Sequence, residues 1–461
     1  VNLNRTKRHG IRFGILALLL ALLLLAGCKG IPTRDEKAAR RDLQTVAEVY
    51  RPDRQKPALP VLTPDAGLSN YLAYALLNSP KVEAAYYDWA GSVERITVER
   101  SLPDPQLTFQ SDIADIVLTV MPGFMQVFPG PGKLRARAAV AGAESRREYF
   151  AFESAVLQAA FDLKRACYRL YFLDERLRIN RETLGLLGDL ERIARAQNEV
   201  GKATLQDVLR ARIERDRVRT DIDNLADSRR PLVAAFKAAL GITAGQPDPP
   251  VPARLETTAV PPDTDDLLRV AFARNPDLKA MEAEVHAATA GIAVAYKERV
   301  PDFSVGLMAD VKATPTIYRP LAAMTLPIWR DKIAAEIARA KARELAAQAR
   351  LNGAQIALTV DLAEQSFAYR EIDRNLDLLR NQLIPEARQS LELARAGYLA
   401  GTIDFFNLMD TERTLLNFEL AEVESRTQRE IVLSRLSLLV AGVPPAGAPL
   451  LTDNQASRMS P

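Results

Sequence analysis

The stretch Arg395-Ala-Gly-Tyr-Leu-Ala-Gly-Thr-Ile-Asp-Phe-Phe-Asn-Leu-Met-Asp410 decides how this chain is organised. A helical pattern runs into it and another runs out, so Gly397 and Gly401 stand where a helix stops and turns. Glycine suits the left-handed residue that closes a helix, and Thr402 or Asp404 can cap the helix that follows. Two hundred residues earlier, Gly201-Lys-Ala-Thr-Leu-Gln-Asp207 makes the same turn, again between two helical patterns. The chain reads as a tandem repeat folded about two glycine turns.

Working outward, the rest of the repeat falls into place. The Asn78-Ser79-Pro80 break recurs as Asn275-Pro276, and Leu102-Pro103-Asp104 recurs as Val300-Pro301-Asp302. Pro103 to Pro301 and Pro129 to Pro327 are each 198 residues, while Gly201 to Gly401 is 200. A period this long is a duplicated half-molecule rather than a solenoid. Short alternating runs at 106–110, 124–128, 303–307 and 321–326 predict four strands, two per half. Helices are expected before them (65–100 in the first half) and after them. The long ones, 133–198 and 332–397, have 66 residues each, roughly 100 Å of helix at 1.5 Å per residue. Shorter helices, 204–240 and 404–441, return from the turns. Val156, Ala160, Leu163 and Cys167 stand in 4-3-4 spacing, and Ile356, Val360, Ala363 and Phe367 repeat it 200 residues on. That pattern predicts a coiled-coil seam in both halves. The expected fold class is mainly α with a small β part, its repeats at 65–245 and 264–442. A Pro-rich linker at 246–263 joins them, and a tail follows at 443–461.

Residues 1–27 read as a signal peptide: Arg5, Lys7, Arg8 and Arg12, then an apolar run to Leu25, too short for a comfortable membrane span. Leu25-Ala26-Gly27-Cys28 resembles the lipobox of bacterial lipoproteins, so Cys28 is expected to carry covalent lipid. Residues 28–64 are polar and proline-punctuated and are expected to form an extended strap. Removing the leader takes the formal net charge from +3 to −1, which leaves no basic footprint for nucleic acid. Cys167 has no second cysteine to pair with, and His9 and His286 make no metal set. No nucleophile with a neighbouring base and no phosphate loop is found, so neither enzyme chemistry nor a cofactor is expected.

A rod of this length has no globular core, and four strands leave two open sheet edges that must be paired. Within lipid only a closed barrel satisfies the backbone of strands. Three chains would make twelve strands, an even number in the range of outer-membrane barrels. Leu107, Phe109, Phe303, Val305 and Leu307 would then face lipid, and Gln106, Thr108, Gln110 and Ser304 water.

The lipobox, the two halves, the strand pairs and the Tyr398-Leu-Ala-Gly401 turn resemble the TolC family of outer-membrane efflux channels. The segment Gln126-Val-Phe-Pro-Gly-Pro-Gly-Lys133 is similar to the start of the long helix in heavy-metal efflux members. The resemblance implies a homotrimer joining a 12-stranded outer-membrane barrel to an α-helical periplasmic tunnel. It also implies passive transport driven by an inner-membrane pump through a periplasmic adaptor, which would dock near the glycine turns. Asp207, Tyr398, Asn407 and Asp410 match the family's periplasmic gate, with Asp410 as a ring of carboxylates and Tyr398 and Asp207 bonding across neighbouring helix pairs. Relatives often carry an acid where Asn407 stands, and some an arginine where Ile403 stands. Alternatives are the outer component of type I protein secretion, or a lipid-anchored coiled-coil scaffold that never inserts.

Overall fold

The computed structural model describes residues 32–114, 117–252, 264–311, 313, 315–440 and 449–451. The first half comprises α1 (Arg34–Tyr50), α2 (Leu68–Asn78), α3 (Pro80–Arg100), β1 (Gln106–Ala114), β2 (Val117–Phe128), α4 (Lys133–Glu199) and α5 (Leu205–Ala239). The second comprises α6 (Thr264–Arg274), α7 (Pro276–Lys297), β3 (Phe303–Asp310), β4 (Ile317–Met324), α8 (Arg330–Leu378), α9 (Ile384–Ala400) and α10 (Phe405–Val440). The first three strands run several residues beyond the alternating runs that announced them; β4 begins four residues before its run and ends two residues short of it, at Met324. No helix among the described residues is long and apolar enough to cross a membrane.

The two halves repeat the same local devices. Ser79 caps α3 and Asn275 caps α7, each followed by proline at the first helical position, where a missing N–H costs nothing. The Asn78 side-chain amide donates to the Leu240 carbonyl at 2.8 Å, and that of Asn275 to the Leu439 carbonyl at 2.9 Å. Each return helix is thus stitched to the break of its own half. Between the halves, α4 packs along α7. In the core of the first half Trp89 stacks on Phe152 at 5.8 Å between ring centres, with Tyr50, Tyr86 and Tyr149 around them.

Three expectations are corrected. Part of the expected extended strap, 34–50, is the helix α1. Thr33 caps it by accepting from the Glu36 N–H, and Ala39, Leu43, Val46, Ala47 and Tyr50 form one stripe against α3 and α4. The stripe is narrow and surrounded by charge, so composition concealed its period. Glu36 pins the helix: it is buried and accepts hydrogen bonds from Arg40, Thr97 and Arg100. Burial alone would raise its carboxyl, but these donors prevail and hold it at about 2.

The second correction concerns the seam. Val156, Ala160, Leu163 and Cys167 are buried, but Ile356, Val360, Ala363 and Phe367 are exposed. The buried Tyr149, Ala160 and Tyr168 have their counterparts 198 residues on, in Ala347, Leu358 and Ser366, all buried. A pairing at 200 residues is displaced by two positions from that match, which turns a helix by about 200° and selects the opposite face.

The third lies in the second long helix, where a π-helical turn at Leu379–Leu383 separates α8 from α9. A wider turn absorbs inserted residues without breaking the helix. It falls in the interval where the repeat spacing lengthens from 198 to 200, just before Pro385, whose ring removes a helical hydrogen bond.

Candidate functional site: an open-edged sheet and a hairpin tip

The sheet has the order β1-β2-β3-β4, antiparallel throughout, so β1 and β4 are open edges. Register assigns each side chain a face. Leu107, Phe124, Leu307 and Pro320 stand in one row, and the period of two adds Phe109, Phe128, Phe303 and Val305 to the same face. Gln106, Thr108, Gln110 and Ser304 occupy the other, together with Asp310, which accepts from Arg319 at 3.3 Å. The apolar face is bare: Leu107 is 69% and Phe109 66% exposed. Apolar area on that scale is stable only against lipid or another chain.

At the foot of the sheet the halves are locked together. Asp302, just before β3, accepts from the Gly130 N–H at 2.7 Å, and buried Lys133, opening α4, lies 2.9 Å from it. Gly130 permits this approach, since a Cβ there would lie 2.5 Å from the Pro301 carbonyl oxygen. Beneath the junction a groove of about 920 Å³ runs between α3, α4, α7 and α8. Its walls are largely ion-paired, Arg95 with Glu144 at 2.7 Å and Arg350 with Glu284 at 2.7 Å, which suits a water-filled passage better than an apolar ligand pocket.

At the other end the two turns are built alike. Gly201 (φ 75°) and Gly401 (φ 78°) take the left-handed conformation. Lys202 donates its N–H to the Gln197 carbonyl at 2.8 Å and Thr402 to that of Gly397 at 2.9 Å, closing both helices by the same motif. Thr204 and Asp207 form a reciprocal capping box at the start of α5. Asp404 accepts from the Asn407 N–H at 2.8 Å and caps α10; the Thr402 hydroxyl donates to the Gly397 carbonyl.

The four expected gate residues all lie at this tip. Asp207 is engaged in its cap. Tyr398 is buried against Phe405, and its hydroxyl finds no hydrogen-bond partner among the described residues. Burial, and then the charge of Asp207, raise its phenol. Within one chain, then, Tyr398 and Asp207 are neighbours without a bond. Asn407 and Asp410 are exposed and three residues apart on α10.

Sequence reasoning missed Glu412, buried two positions beyond Asp410. Burial, with Glu214 nearby, pushes its carboxyl up to about 7; Arg413 opposes and Glu419 adds to the rise. Phe405, Leu408, Met409 and Glu412 follow helical core spacing, so the period of α10 was a signal for its burial. Among the described residues no group of histidine, cysteine and carboxylate side chains is arranged to hold a metal ion. Cys28 lies outside the described residues.

A helical rod carrying an open-edged, one-face-apolar sheet is the fold found in solved outer-membrane channels. Residues 267–442 match the family model described as outer membrane efflux protein. The fold is that of solved channels. The outer membrane protein VceC of Vibrio cholerae is 18% identical with TM-score 0.69, covering 81% of this chain and 96% of its own. The open-state MtrE channel of Neisseria gonorrhoeae is 16% identical with TM-score 0.70, covering 86% and 98%. CusC is 17% identical with TM-score 0.68, covering 85% and 99%, so structural likeness does not single out its subgroup. No curated protein matches in sequence.

Proposed function

We propose that this chain is the outer-membrane exit duct of a tripartite efflux system. Three copies close their four-stranded sheets into a barrel in the outer membrane, and their paired helices form the tunnel through the periplasm. A periplasmic adaptor docks near the hairpin tips and links the duct to an inner-membrane pump, which supplies the energy. The observation that carries this reading is the sheet itself, with two unpaired edges and an apolar face left bare by its own chain. A surface scaffold has no use for such a face, whereas in lipid it is required. Cys28 adds an acyl anchor in the inner leaflet of the outer membrane, covalent lipid being the one non-protein group we assign. Asp410 and Asn407 line the periplasmic mouth, with Tyr398 and Asp207 behind them, and Gly201 and Gly401 turn the tips.

The test is reconstitution. The purified chain should run as a trimer in mild detergent and give discrete conductance steps in a planar bilayer. A monodisperse monomer that never conducts would rule the duct out.

A further inference from the structure

The two hairpins of the sheet are copies of one another to the residue. Gln106 pairs with Met125 in the first, and Ser304 with Ala323 in the second; each partner is displaced by 198. Phe109 faces Pro122, and Leu307 faces Pro320, again at 198. The same displacement relates Pro103 to Pro301 below the strands. Where two hairpins are this alike, the junction between them has a counterpart. β2 meets β3 inside the chain, and the equivalent meeting is that of β4 with the β1 of a second copy.

We infer that the sheet edges of neighbouring copies join in the register of the internal junction, with Leu321 opposite Gln110, Ala322 opposite Phe109, Ala323 opposite Thr108 and Met324 opposite Leu107. Each pair is an observed β2–β3 pair carried across by 198: Gly123 with Met308, Phe124 with Leu307, Met125 with Gly306 and Gln126 with Val305. The faces agree, since Ala322 and Met324 meet Phe109 and Leu107 on the apolar side, and Ala323 meets Thr108 on the polar one. A slip of one residue would put apolar side chains into water along the whole seam. The upper limit of the ladder follows as well. Internal pairing ends at Gly123, one residue short of Pro122, which has no N–H to give. Pro320 stands in the same place on β4 and ends the joint above Leu321.

The inference rests on the proposed assembly, but the register does not depend on how many copies close the ring. Its sharpest point is Thr108 with Ala323. The internal counterpart is Gly306 with Met125, where a Cβ on Gly306 would lie 3.4 Å from the Met125 Cβ. That is the separation a disulfide spans, whereas positions two residues along are roughly 7–8 Å apart and out of reach.

Cysteine pairs decide the matter in the full-length protein. Thr108→Cys with Ala323→Cys, oxidised in the assembled detergent-purified oligomer, should give covalent dimers and trimers on a non-reducing gel. Gln106→Cys or Gln110→Cys with Ala323→Cys should cross-link at least about tenfold more slowly, being out of disulfide reach. Background is low, because burial pushes the Cys167 thiol up to about 12 and keeps it unreactive. Faster cross-linking through Gln106 or Gln110, or a disulfide within one chain, overturns the register while the oligomer stands. Absence of any oligomer on a native gel counts instead against the assembly itself.

Discussion

The Lys133 ammonium, opening the long helix of the first half, lies 2.9 Å from the carboxylate of Asp302, which precedes the first strand of the second half. Lys133 is almost fully buried, and Glu298 shares it at 3.5 Å. This contact fixes the angle between sheet and rod where the two repeats meet. Removing one partner leaves the other short of a charge-assisted bond. Asp302→Asn and Lys133→Met should each cost about 1.5–3 kcal/mol. A double-mutant cycle on chemical unfolding should give a coupling energy well above the error; strictly additive losses would mean the contact is incidental.

On β3 the neighbours Val305 and Ser304 point to opposite faces. Val305→Arg on the lipid side should cost roughly 2–4 kcal/mol near the bilayer midplane, while Ser304→Arg is tolerated in a wet lumen. Heat-modifiable trimer yield in membranes measures the contrast. Equal yields from the two variants would argue against a membrane strand.

Glu412 makes tip stability depend on pH. Folded, its carboxyl is pushed up to about 7 from 4.5. Between those values the folded chain holds a proton that the unfolded chain has released. Stability therefore falls as pH rises through that window and is level above it, by roughly 3 kcal/mol at most for this group. Glu412→Gln should abolish the slope, and hydrogen exchange in residues 398–416 at pH 5 and pH 8 reads it. A wild-type tip equally protected at both values contradicts the burial.

Asp410 is exposed at the tip, one turn from Asn407. In a threefold mouth it would be a ring of three carboxylates that attracts cations. Single-channel recordings with multivalent cations on the periplasmic side should show block in the wild type and relief in Asp410→Ala. Unchanged block removes Asp410 from the constriction.

Cys28→Ala should abolish incorporation of radioactive palmitate. It should leave some of the protein in the membrane fraction, because a spanning barrel holds far more strongly than acyl chains. An unlabelled wild type refutes the anchor.

Much of this was written locally. Gly201, Gly401, Ser79 and Asn275 announce turns and caps through their own backbone chemistry, and the proline spacings announce the duplication. Alternation in β1 and β3 gave the correct faces because a strand's period is two and needs no partner to be read. The proposed function draws on the same alternation: a sheet with bare edges and a bare face states what it lacks.

Other features were not local. The helix α1 was hidden because charge surrounds a narrow stripe whose worth lies in the groove it fills between α3 and α4. The second seam was misplaced because a helix turns about 100° per residue, so pairing the halves at 200 residues instead of 198 selects the opposite face. Nor could sequence set Tyr398 beside Asp207 without a bond, or set Glu412 beside Glu214. The sequence by itself determined the caps, the glycine turns and the two faces of the sheet, since each is set by residues a few positions apart, and the spacing of prolines and glycines determined the duplication. Only the tertiary structure decided which face of each long helix is buried and which charges meet, because those depend on register between segments some two hundred residues apart.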